Sequence, residues 1–134
     1  AKKALYQAAW AGRFEIMRKH PLVIVDGAHN EEGMRALTAS FAVLPRPVTT
    51  VFSALKDKPG TIMAELLKEK SDRLIITQFA NDRADTVEGL MVEGCESIPV
   101  WKDAVDKALK ETDPAGSIVI TGSLYFVSLV RAYL

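Results

Sequence analysis

The chain has 134 residues, 49% of them hydrophobic and 25% charged. That is the usual size of one domain, and a chain this long can bury roughly 68% of the surface it exposes when unfolded, so neither disulfide nor metal is needed to hold it together. Seventeen Lys+Arg balance 17 Asp+Glu, which disfavours a nucleic-acid face. The single Cys95 has no internal partner and fits a reducing, cytoplasmic compartment. The most apolar stretch, Ser117 to Leu134, is interrupted by Thr121, Gly122, Ser123, Ser128 and Arg131. It reads as a buried strand plus helix, because a membrane span needs about 20 nearly unbroken apolar residues. The first residues show no basic n-region followed by an apolar h-region. The chain begins at Ala1 in a helical pattern, which suggests a piece of a longer protein.

In chain order, Lys2 to Ala9 reads as helix and Arg13 to Lys19 as a short first strand. Leu22 to Val25 is a continuous apolar run suited to a buried parallel strand. From Asn30 to Phe41, Met34, Leu37 and Phe41, with Leu44 beyond, recur at helical spacing, and Pro45 and Pro47 stop the pattern. Val48 to Phe52 is β-branched and reads as the next strand. Pro59 suits the first position of a helix whose apolar stripe is Ile62, Met63, Leu66 and Leu67. Arg73 to Phe79 holds another strand around Leu74-Ile75-Ile76. Ala84 to Met91 is a weak helix and Ser97 to Val100 a short strand. Trp101, Ala104, Val105, Ala108 and Leu109 follow the i, i+3, i+4, i+7, i+8 rule. Thr112 to Gly116 is turn chemistry, Ile118 to Ile120 the last strand and Ser123 to Tyr133 the last helix. Strands alternating with helices imply a mainly parallel α/β sheet in one domain.

In such a sheet ligands sit outside the carboxyl ends of the strands. Three strands end there in small or polar residues: Asp26 to Asn30, then Ser53 with Lys56, Asp57 and Lys58, and then Thr121, Gly122 and Ser123. An ionised Asp26 is acceptor-only and suits a pair of ribose hydroxyls. An aspartate capping the next helix fits its position nearly as well. His29 suits a phosphate, a carboxylate or an amine. A histidine held by backbone near a helix start fits too. Ser123, after Gly122 at a predicted helix start, marks an anion site, and a plain N-cap explains it equally. Lys56 suits a carboxylate or phosphate, or plain solvation. Arg13, after Gly12, suits a bidentate phosphate contact, or simple exposure beside a strand. There is no G-x-x-x-x-G-K-[ST], no G-x-G-x-x-G, no G-x-S-x-G and no His/Cys set at metal-ligand spacing.

Trp10-x-Gly12-Arg13-x-Glu15, Asp26-Gly27-Ala28-His29-Asn30 and Thr121-Gly122-Ser123-Leu124-Tyr125 follow one another across the chain. Together they resemble the C-terminal domain of the folylpolyglutamate synthase/dihydrofolate synthase family of the Mur ligase superfamily. The resemblance covers essentially the whole chain. It implies a Rossmann-like, six-stranded, mostly parallel sheet with helices on both faces. It also implies a cytoplasmic, monomeric, ATP- and Mg²⁺-dependent ligase that phosphorylates the carboxylate of a folate or dihydropteroate. The amine of L-glutamate then attacks the acyl phosphate. By position, Arg13 would contact the ATP phosphates and Asp26 the ribose, with His29 and Ser123 on the glutamate side; Lys56 is a further glutamate candidate on its own chemistry, and His29 is the one candidate for a catalytic role. The P-loop and magnesium ligands would lie in the protein's own N-terminal domain, so residues 1–134 alone would supply half of an active site. Two other readings fit the bare pattern: a stand-alone α/β nucleotide-binding module without catalysis, and the C-terminal domain of another Mur-type amino-acid ligase.

Overall fold

The computed structural model describes residues 14–134; Arg13 and the expected Lys2 to Ala9 helix lie outside them. Among the described residues six strands form one sheet in the order β1-β2-β6-β3-β4-β5. They are β1 (Glu15–Lys19), β2 (Leu22–Asp26), β3 (Val48–Phe52), β4 (Arg73–Gln78), β5 (Glu96–Val100) and β6 (Ser117–Thr121). Five run parallel, and β1 pairs antiparallel with β2 at one edge. The expected open, mostly parallel sheet is therefore what the chain forms. Every residue of β3 and β6 is buried, as expected of parallel strands covered on both faces.

The helices are α1 (Glu31–Ala39), α2 (Gly60–Lys70), α3 (Val87–Leu90), α4 (Trp101–Glu111) and α5 (Leu124–Tyr133). Alternation along the strands splits the core in two. On the first face Ile24, Val48, Phe52, Leu74, Ile76 and Val119 pack beneath α1, α2 and α3. On the second, Val23, Val25, Val51, Ile75, Ile118 and Ile120 pack beneath α4 and α5. Phe126 of α5 stacks on Phe79 at 5.5 Å and meets the Trp101 edge at 6.3 Å, which ties the two helices of that face together.

Some boundaries differ from the periodicity. The helix expected to Phe41 ends at Ala39 and tightens into a 3-10 turn, Ser40–Val43. The Ser40 hydroxyl donates to Leu37 O at 2.6 Å there, a side-chain bond that competes with continued helix. The expected Ala84 to Met91 helix shrinks to four residues because Ala84 pairs instead with Leu55 in an isolated antiparallel bridge. Ile62 is 47% exposed, and Gly60, Met63, Ala64 and Leu67 are the buried residues of α2.

Candidate functional site

The connections after β2 and β3 carry their helices to the first face, whereas α5, after β6, lies on the second. Since β6 sits between β2 and β3, the carboxyl ends of these three strands surround a switch point, the place where open α/β sheets hold ligands. The three polar strand ends singled out in the sequence therefore meet on one rim.

The segment Asp26 to Asn30 is organised by its own side chains. Asp26, 3% exposed, accepts the Ala28 N–H at 2.8 Å and so closes the turn leaving β2. The helix cap is not Asp26 but Asn30, whose side chain accepts the Gly33 N–H at 2.7 Å. His29 Nδ1 lies 3.0 Å from Gly27 O. A carbonyl only accepts, so Nδ1 carries a proton and Nε2 is left to serve a ligand.

Across the rim, Ser123 is 2% exposed and caps α5, its hydroxyl accepting the Tyr125 N–H at 3.1 Å. Gly122 precedes it at φ +120°, a conformation L side chains rarely adopt. A Cβ there would run into the Ser53 carbonyl oxygen and the Phe52 ring. The glycine thus lets β6 leave the sheet directly beside β3.

A cavity of about 160 Å³ opens at this rim. Its walls include His29 from the β2 end, Ser123 and Tyr125 from the β6 end, and Leu55, Lys58 and Arg83. Lys56 does not line it; that side chain is exposed. Lys58, two residues on, takes the position instead. Arg83, which the sequence reading did not single out, arrives from the loop after β4. Three contacts bring it there: the Leu55–Ala84 bridge, the Lys56 N–H to Arg83 O bond at 2.7 Å and the Asp85 N–H to Ala54 O bond at 2.9 Å. These stitch the loop after β4 onto the loop after β3. The Arg83 guanidinium lies 6.0 Å from the Tyr125 ring centre, within cation–π range, and 3.8 Å from Asp57. The signal available in the sequence was the polar run Asn81-Asp82-Arg83 at another strand's carboxyl side.

The chemistry of this rim follows from its donors. Two cations, a histidine and the start of a ten-residue helix favour a small anionic ligand. Among the described residues no group of three or more His, Cys, Asp or Glu is placed to hold a metal ion. Also among the described residues, no helix is long and apolar enough to cross a membrane.

A doubly wound α/β domain with a polar, cationic rim at its switch point has the architecture of the nucleotide-binding fold class. More particularly, residues 12–124 match the family model described as Mur ligase, glutamate ligase domain, and the chain belongs to that family. It is 37% identical over 136 residues to the dihydrofolate synthase/folylpolyglutamate synthase of Bacillus subtilis, covering 97% of this chain and 32% of that protein. It is 31% identical to the folylpolyglutamate synthase of Lacticaseibacillus casei, covering 97% and 31%. Among solved structures, E. coli FolC in complex with ADP superposes with TM-score 0.84 at 28% identity, over 91% of this chain and 31% of that one. A bifunctional folylpolyglutamate synthase/dihydrofolate synthase with Mn, AMPPNP and L-glutamate bound gives 0.82 at 26%, over 92% and 31%. The chain spans about a third of the length of the curated relatives it matches.

Proposed function

We propose that this chain is the C-terminal domain of a cytoplasmic, monomeric, ATP-dependent ligase that joins L-glutamate to a folate or to dihydropteroate. Its own N-terminal P-loop domain would hold the ATP phosphates and Mg²⁺. The observation that carries the reading is the cationic cavity at the switch point. It is close in size to the roughly 150 Å³ engineered cavity that takes benzene and well below the 300–1,000 Å³ of typical pockets for larger ligands. That scale suits one amino acid. Lys58 and Arg83 provide charge-assisted donors for a carboxylate, and Ser123 brings the α5 N-terminus to the same wall. His29 Nε2 can accept from the glutamate ammonium.

In the reaction the γ-phosphoryl group of ATP passes to a carboxylate oxygen of the pterin substrate and ADP leaves. The glutamate nitrogen, having lost a proton, attacks the acyl carbon. The bond to phosphate breaks, inorganic phosphate leaves and an amide remains. The residues of this chain serve that sequence by positioning, since holding two reactants in line removes much of the entropic barrier. Asp26, and Arg13 beyond the described residues, would serve the nucleotide; His29, Ser123, Lys58 and Arg83 would serve glutamate. Lys56, exposed, fits solvation better than the glutamate role.

The test uses the full-length parent protein with MgATP, L-glutamate and either dihydropteroate or a reduced folate. The expected result is stoichiometric ADP, phosphate and a product heavier by one glutamyl residue. Glutamate-independent ATP hydrolysis with no such product would refute the proposal.

A further inference from the structure

Among the described residues two buried side-chain polar atoms have no hydrogen-bond partner, the hydroxyls of Ser53 and Thr121. Native proteins leave few buried polar groups unpaired, and those that remain call for an explanation such as a functional role. Both lie at the switch-point rim, but on opposite faces. Thr121 follows the alternation of Val119, which belongs to the first core, whereas Ser53 follows that of Val51, in the second. Thr121 is fully buried, and its in-register neighbours are Asp26 on β2 and Phe52 on β3. Of these two side chains only the carboxylate can accept its proton. Asp26 shares Thr121's face, since Ile24, two residues before it, packs with Val119 in the first core.

We infer that Thr121 is a positioning residue for Asp26: its hydroxyl donates to the Asp26 carboxylate when nucleotide is bound and fixes the plane of that carboxylate toward the ribose. The inference rests on the assignment of Asp26 to the nucleotide. A carboxylate offers about four lone-pair sites, so it can take this bond together with the Ala28 N–H and a ribose hydroxyl. The hydroxyl is kept at the sheet end although its burial without a partner costs stability. A valine of the same shape would avoid that cost.

The experiment compares Thr121→Val, Thr121→Ser and Ser53→Ala in the full-length parent protein, measuring Kd for a nonhydrolysable ATP analogue, KM for ATP and for glutamate, and Tm. Thr121→Val is expected to weaken analogue binding and raise KM for ATP about 3- to 10-fold, the scale of one hydrogen bond. KM for glutamate should stay unchanged and Tm should equal or exceed that of the wild type. Thr121→Ser should restore nucleotide binding, and in an Asp26→Ala background Thr121→Val should add nothing. Unchanged binding in Thr121→Val, an equal loss in Ser53→Ala, or a lowered Tm accompanying the loss would each overturn the inference. Wild-type protein that binds no analogue would overturn the nucleotide assignment as well, whereas intact wild-type binding that Thr121→Val leaves alone would overturn the inference only.

Discussion

Gly122 and Ser123 show how closely backbone and chemistry are joined at the rim. Gly122→Ala would combine a side chain at φ +120° with a clash against the Ser53 carbonyl. Strain of that kind costs about 1–3 kcal/mol, and overpacking a similar amount, so a loss of at least about 2 kcal/mol is expected in urea unfolding. Ser123→Ala should cost about 0.5–2 kcal/mol, the scale of a lost cap. Ser123→Asp keeps the cap, because aspartate is as good an N-cap as serine, yet it sets a negative charge against the wall proposed to hold a carboxylate. The parent enzyme carrying it should be stable and nearly inactive. Normal glutamate kinetics in that variant would leave Ser123 as a cap alone. Asp26→Ala removes an acceptor for which hydrogen bonds are worth roughly 1.5–3 kcal/mol, which predicts a KM for ATP about 10- to 150-fold higher.

At the scale of elements, one ionic cluster fastens the far edge of the sheet. Arg73 on β4 holds both carboxylate oxygens of Glu96 on β5 and also Glu111 at the end of α4, the latter at 2.9 Å. The hydrogen bond from Arg73 holds the Glu96 carboxyl below its ordinary value of 4.5, against the opposing effect of burial and with help from the Arg73 and Lys107 charges. A carboxyl depressed in the folded state contributes stability that is present above its unfolded pKa and lost as pH falls through the folded one. Arg73→Met should therefore lower stability near pH 7 by about 1 kcal/mol, since these groups are partly exposed. It should also flatten the further loss as pH falls below about 4.5, as read from urea midpoints. Elements such as these were legible in the sequence to different degrees. The strands Leu22–Asp26, Val48–Phe52 and Ser117–Thr121 announce themselves as apolar, β-branched runs because each is covered on both faces. The α4 stripe from Trp101 was equally plain. The Ala84 to Met91 pattern misled because a tertiary bridge to Leu55 captured its first turn. For the same reason Arg83 went unnoticed: its place beside Lys58 depends on two loops pairing, which no local pattern records. The rim itself was legible, as strand-end chemistry is fixed by position along each strand.

For the whole molecule, the doubly wound sheet carries a buried apolar core on each face, and its central strands β3 and β6 are buried throughout. Purified residues 1–134 are thus expected to unfold cooperatively in denaturant but not to turn over ATP, with or without folate and glutamate. Steady hydrolysis by the isolated chain would contradict a division of the site between two domains. The central claim is that one rim serves two substrates, Asp26 the nucleotide and the Lys58–Arg83 cavity the amino acid. It is tested most directly by steady-state kinetics of the full-length parent enzyme carrying either Asp26→Ala or Lys58→Ala with Arg83→Ala. The account predicts a clean split: the first raises KM for ATP and leaves that for glutamate in place, and the second raises KM for glutamate at least about tenfold, the scale of one charge-assisted hydrogen bond, and leaves that for ATP in place. Unchanged glutamate kinetics in the double variant, or equal shifts for both substrates in either variant, would contradict it.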